Sequence, residues 1–217
     1  MKPMTQTSSD VSRLILALLT VALCLDLRAE TLSSPGKLND PVKDFALLDH
    51  RGAFRHLYYY AKDPATKAIV LFVQGNGCPL VRKRVPELKR LRDAYATNGV
   101  VFWMINANTQ DSRVEVAKEA SEFGIDLPIL LDETQLAAKA LNITRTGEAI
   151  VIEPDSWRIR YRGAIDDRLS YEAQKPEASH EYLKEALDSL LAGAPIKTEV
   201  TSALGCVVTY GKAAVAS

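Results

Sequence analysis

Neither sign of charge prevails in this chain of 217 residues, in which Lys plus Arg and Asp plus Glu number 27 each. Without a net field there is no overall electrostatic pull toward nucleic acid or an anionic membrane. Histidine is scarce. His50, His56 and His180 are scattered, with no metal-like spacing and no tie to a cysteine, which argues against a zinc or haem site. No Gly-Lys-Ser/Thr follows Gly75-Asn76-Gly77, so that loop resembles a phosphate loop only superficially and nucleotide binding is not supported. No cofactor is expected. There is also no internal repeat and no second domain boundary.

The apolar run Leu14–Leu25 is too short to span a bilayer comfortably, which takes about 20 residues. With Lys2 and Arg13 on its polar side it fits the apolar region of a secretory signal over residues 1–29. Leu27-Arg28-Ala29 is a mediocre cleavage site, so a retained N-terminal anchor is the alternative. Cys24 follows Leu23 where a lipid-attachment box would want a small residue, which argues against lipidation. The expected location is periplasmic or secreted, with no stable membrane insertion once the signal is cleaved. Two cysteines then remain, Cys78 and Cys206, in an oxidising compartment.

The rest of the chain, 47% hydrophobic overall, suits one globular domain over residues 36–194, followed by a tail over 195–217 that carries Cys206. Phe45–Asp49 and Phe54–Tyr60 read as a hairpin, with Tyr58-Tyr59-Tyr60 in its second strand. Ala68–Val73 is a continuous β-branched run, the sign of a strand buried on both faces. A helix follows from Pro79, with Val81, Val85, Leu88, Leu91 and Tyr95 on its inner face and Arg82, Lys83, Arg84, Lys89 and Arg90 solvated. Val100–Ile105 and Pro128–Leu131 are further strands, and Arg113–Phe123 and Thr134–Leu141 further helices. Ala149–Ile152 and Ile159–Gly163 form an antiparallel pair, with Trp157 near its turn, and a last helix covers Ser179–Leu191. The order implies an α/β three-layer sandwich around a mixed sheet. The tail is small and polar enough to be mobile.

Cys78 alone has a setting suited to thiol chemistry. It follows a buried strand and a glycine loop, and it opens a helix. There the free N–H groups and the positive end of the helix dipole favour the thiolate, the reactive form. Arg82 and Lys83 would add to this by turning toward the sulfur. The alternative is an inert, buried structural cysteine.

Ala68–Val73, Cys78-Pro79-Leu80-Val81-Arg82, Val85-Pro86-Glu87-Leu88 and Thr144-Arg145-Thr146-Gly147-Glu148-Ala149 together resemble the redoxin branch of the thioredoxin-like superfamily. That branch includes the alkyl hydroperoxide reductase and thiol-specific antioxidant proteins, and the resemblance runs from about Pro41 to Leu191. It implies a thioredoxin-like fold with Cys78 as the catalytic thiol. Pro79, Thr146 and Gly147 would then lie in the active-site loops. Three departures stand out. The family's Cys-x-x-Cys pair is missing, since Val81 holds the second position. The Pro-x-x-x-Thr/Ser-x-x-Cys pattern of peroxidatic cysteines is missing, with Leu71 and Gly75 in place of proline and hydroxyl. The usual cis-proline is replaced by Gly147, which would alter substrate binding along that edge.

In some redoxins a Gly-Cys follows the last helix, as Gly205-Cys206 does here. The resemblance thus implies Cys206 as a resolving partner or permanent clamp for Cys78; the alternative is a dispensable tail thiol. The expected activity is that of a thiol-dependent oxidoreductase, acting on a thiol/disulfide protein partner or a peroxide. A peroxiredoxin-like peroxidase and a non-enzymatic binding module with a decayed site are the other two readings.

Overall fold

The computed structural model describes residues 37–170 and 173–211, and the expected export signal lies outside them. In chain order come β1 (Ala46–Leu48), β2 (Phe54–His56), α1 (Leu57–Ala61), β3 (Ala68–Gln74), α2 (Pro79–Ala94) and β4 (Val100–Asn106). Next are α3 (Arg113–Glu122), β5 (Ile129–Leu131), α4 (Leu136–Ala140), β6 (Ala149–Glu153), β7 (Arg158–Gly163) and α5 (Tyr182–Leu191). Among the described residues no helix is long and apolar enough to cross a membrane.

β1 and β2 pair antiparallel, apart from a five-stranded sheet of order β5-β4-β3-β6-β7. β3, β4 and β5 run parallel, β6 lies antiparallel to β3, and β7 antiparallel to β6. β3 is the central strand, and every one of its residues is buried. Val70 and Phe72 share one core with Val81, Val85 and Leu88 of α2 and with Leu183 and Leu187 of α5. Ile69, Leu71 and Val73 point into the other, with Leu57 of α1 and Ala137 and Ala138 of α4. Strand periodicity alone sorts the residues of β3 between two layers of helix. Each such Leu, Val or Phe stabilises the fold by about 1.5–3 kcal/mol relative to exposure. The result is the α/β sandwich with a mixed sheet that the alternation of elements implies.

Several local expectations are corrected. β2 ends at His56, and Tyr58–Tyr60 lie in the short helix α1. A helical turn sends the three rings in different directions, which a strand would not. Tyr58 stacks on Trp157 with ring centroids 3.7 Å apart, Tyr60 meets Trp103 edge-on, and Tyr59 is exposed. Arg84 is buried rather than solvated, because Asp166 pairs with it beneath the 166–168 loop. α4 begins at Leu136, after Gln135 has taken a left-handed conformation. α5 begins at Tyr182, because the Asp167 carboxylate takes the amides of Ser179 and His180 before the helix starts. Asp44 and Asp49, at the two ends of the first hairpin strand, are held by His56 and Arg55.

The largest correction concerns the tail. Residues 196–211 do not wander; they lie along the domain in two stretches. Val200 forms a parallel bridge with Arg162 of β7, and the Thr201 hydroxyl accepts from the Ala164 amide at 2.8 Å. Val207 forms an antiparallel bridge with Arg145, and the Val208 amide donates to the Thr144 carbonyl at 3.0 Å. Ile196 and Val208 are buried, each in a different core. A few apolar anchors set among small polar residues are enough to dock it.

Candidate functional site

Cys78 takes the N-cap position of α2 in an extended conformation, with Pro79 as the first helical residue and β3 ending four residues earlier. The intervening loop is held by carboxylates from the β4–α3 side. Asp111 accepts from the Asn76 amide at 3.0 Å and also from the side chains of Asn106 and Asn108. Glu119 accepts from the Gly77 amide at 2.6 Å. Glu119 also binds Arg82 at 3.0 Å, and the Arg82 guanidinium lies over the Phe123 ring. Arg82 therefore faces α3 and not the sulfur, and Lys83 is exposed. The Glu119 carboxylate and the Phe123 ring set this, by holding the guanidinium against α3.

Asp111 and Glu119 were not singled out from sequence. A signal for the first existed. Asn106, Asn108 and Asp111 crowd the carboxyl end of a parallel strand, where α/β folds assemble their sites. Nothing in the sequence marks Glu119, which reads as an ordinary helix-surface acid.

The loop before β6 brings the second half of the site. The Thr146 hydroxyl lies 3.2 Å from Cys78 Sγ and accepts the Cys206 amide at 2.9 Å. The Thr146 amide in turn donates to the Cys206 carbonyl at 2.9 Å. These two bonds, one to the Thr146 hydroxyl and one from its amide, place Cys206 Sγ 2.9 Å from Cys78 Sγ. Both thiols are free, Cys78 buried at 2% exposure and Cys206 exposed.

Two glycines permit the approach. Gly147 has φ +77, and a side chain there would come within 2.5 Å of the Leu204 carbonyl oxygen. A side chain at Gly205 would fall 1.8 Å from the Thr146 carbonyl oxygen. Gly147 thus serves the contact between tail and loop, with no cis peptide bond among the described residues. The structure therefore brings Cys78, Pro79, Thr146, Gly147 and Cys206 into one place.

The two sulfurs are electrostatically unlike. Burial pushes the Cys78 thiol up. Hydrogen bonds from the Cys206 thiol and the Thr146 hydroxyl, with the Val81 and Cys206 amides, outweigh it and hold Cys78 below its ordinary range. Cys206 moves the other way, chiefly because it donates to Cys78, with burial and the neighbouring negative sulfur adding to the effect. Thr146 has a single proton. A Cys78 thiolate can only accept, so toward it the Thr146 hydroxyl donates that proton while its oxygen accepts the Cys206 amide. The arrangement can hold a thiolate beside a proton-bearing thiol, which is the starting state for thiol exchange.

Comparison with known proteins follows the same lines. The AhpC/TSA family model matches residues 38–168, a span that holds Cys78, Thr146 and Gly147 but not Cys206. No curated protein sequence matches the chain. Among solved structures, an uncharacterized conserved protein from Geobacillus kaustophilus is similar with a TM-score of 0.71 and 32% identity, covering 82% of this chain and 95% of that one. A hypothetical protein from Sinorhizobium meliloti gives 0.70 and 25%, covering 81% and 95%. Peroxidoxin BcpB from Mycobacterium tuberculosis, at 0.50 and 21% with coverage of 72% and 94%, is similar in fold alone. By its matched span and its architecture, the chain belongs to the AhpC/TSA family, redoxins of thioredoxin-like fold with thiol-based redox function.

Proposed function

We propose that the protein is exported to the periplasm or beyond and works there as a thiol-disulfide oxidoreductase or thiol-dependent antioxidant, with Cys78 attacking and Cys206 resolving. The observation that carries this is the approach of the two sulfurs to 2.9 Å over Thr146. The Cys78 thiolate attacks a substrate disulfide, forming a mixed disulfide and releasing one substrate thiolate. Cys206 then attacks the Cys78 sulfur and expels the second. The substrate gains two electrons and the chain is left with a Cys78–Cys206 disulfide, which an external thiol must reduce. Pairing at this distance replaces the missing Cys-x-x-Cys partner with one 128 residues away. The test is turnover of a model disulfide or peroxide with excess reductant. Cys78→Ser should abolish it, and equal turnover by that variant refutes the role.

One observation favours a peroxide as the oxidant. The hydroxyl missing at Gly75 is supplied beside the sulfur by Thr146. In that case Cys78 takes one oxygen to become a sulfenic acid while the peroxide leaves as alcohol or water. Cys206 then condenses with it, releasing water. Fast, saturable peroxide consumption by the wild-type chain, with sulfenic acid accumulating at Cys78 in Cys206→Ser, is the expected signature. Slow, non-saturable consumption returns the reading to disulfide exchange.

A further inference from the structure

We propose that the pocket between the β1–β2 turn and α3 binds a short-chain carboxylate, held by the His50 imidazole and the Arg51 guanidinium. Its volume is about 330 Å³, at the small end of the range for small-molecule sites, and its lining is His50, Arg51, Ala117, Ala120, Ser121 and Ile125. No residue of the proposed thiol cycle lines it, so the inference stands apart from that cycle.

The first observation is a pair of donors without an acceptor. His50 is 6% exposed. Its amide donates to the Ile129 carbonyl at 2.8 Å, and the Ile129 amide donates back to His50 Nδ1 at 3.2 Å. Burial, and then the adjacent Arg51 cation, hold His50 below its ordinary range against the pull of Asp49, so the ring is neutral at neutral pH. A neutral imidazole has one N–H and one acceptor nitrogen. With Nδ1 accepting, the proton sits on Nε2. Arg51 Nε, itself a donor, faces that same Nε2 from 3.3 Å. Two N–H groups thus meet with no acceptor between them. The other tautomer only moves the conflict to the Ile129 amide, and a buried donor left without an acceptor is costly.

The second observation is a cation without a counterion. Among the described residues Arg51 forms no ion pair; its side chain meets the His50 ring and donates to the Asp126 carbonyl at 2.8 Å. The carboxylates around it are engaged elsewhere. Asp49 is held by Arg55 and by the Arg51 and Ala53 amides, and Asp126 by Arg92 and Lys89. An anion at this edge would accept from both the ring and the guanidinium and supply the missing charge, and the two oxygens of a carboxylate offer one to each. The opposite wall decides what carries the anion. Ala117, Ala120 and Ile125 present only carbon there, and the lining holds no second cation. Sulfate or phosphate would set charged oxygens against that wall, whereas a few methylene groups would cover it.

The test titrates the full chain, labelled with nitrogen-15, with propionate at neutral pH and constant ionic strength. NMR follows the histidine ring nitrogens and the arginine Nε–H groups. The chain has three histidines, so His56 and His180 serve as internal controls. The expected result is a saturable shift of the His50 ring and of Arg51 Nε–H, with the controls unmoved. Arg51→Ala should weaken binding about tenfold or more. Ala117→Leu fills the wall, leaves both donors in place and should abolish the shift. A non-saturable shift, one shared by all three histidines, or binding that survives both substitutions overturns the proposal. Chloride or sulfate binding as tightly as propionate overturns it too, since charge alone would then account for the site.

Discussion

The two halves of the site are held by different means. Cys78 is fixed by the framework: it sits between the buried central strand β3 and the helix α2, over a loop pinned by Asp111 and Glu119. Cys206 is fixed by hydrogen bonds between the tail backbone and the Thr144 carbonyl, the Thr146 amide and the Thr146 hydroxyl, on a tail that alternates exposed and buried residues. One half draws its position from core packing, the other from main-chain pairing that only glycines allow. The framework should therefore respond to mutation in stability, and the tail in chemistry.

Four substitutions test that contrast, from the largest effect down. Asp166→Ala leaves the buried Arg84 without its partner, and the loss of one member of a buried ion pair costs about 3–5 kcal/mol. Urea unfolding should register it, and an unchanged midpoint would mean that the framework does not depend on this pair. Cys206→Ser should leave the first oxidation of Cys78 intact but lower steady-state turnover about 100-fold or more, because resolution must then come from solution. Rapid-mixing and steady-state assays separate the two steps, and equal losses in both would erase the division of labour. Gly205→Ala drives a methyl group into the Thr146 carbonyl and should slow formation of the internal disulfide about tenfold, with little change in unfolding. A large stability loss there would show the tail to be part of the framework after all.

Thr146→Val is the mildest, with a several-fold loss of Cys78 reactivity near neutrality. It removes a donor to the Cys78 sulfur, so the pKa of Cys78 rises. In the wild type the lowered value extends the thiolate to lower pH than an ordinary cysteine would hold it, and it is lost as the pH falls through that lowered value. In the variant the loss begins at higher pH. Iodoacetamide labelling against pH should show the Cys78 midpoint moving up. The Cys206 midpoint should stay above it in both proteins, since Cys206 is pushed up while it donates to Cys78.

The same contrast marks what could be read from sequence. β3, α2 and the placing of Cys78 at a helix start follow from local signals: a β-branched run, a glycine loop, a proline at the first turn, an apolar stripe. Those signals are short-range, and core burial reinforces them. The tail carried no such pattern. Its order comes from isolated anchors such as Ile196 and Val208, and from a fit between Gly147 and Gly205 that exists only once residues 58 apart in sequence meet. Tyr58–Tyr60 was misread because β-propensity in a short aromatic run says nothing of which ring needs which partner. Arg84 was misread because helical periodicity places a residue on a face without revealing that the 166–168 loop covers that face. The family's missing second cysteine was visible from sequence; the means of replacing it was only partly so.

The bridge at Val200 has a consequence beyond the thiols. An outer strand with free N–H and C=O groups invites pairing with another chain, and folded proteins commonly cover or shorten such borders. Here β5 and β7 are the borders of the sheet, and both are met by neighbouring segments: Asp49 bridges to Leu130, and Pro41 and Val200 bridge to β7. The segment that delivers Cys206 thus also shields a sheet margin. A chain cut short before Val200 would lose a thiol and at the same time gain an adhesive border, so its first symptom in a test tube would be clumping.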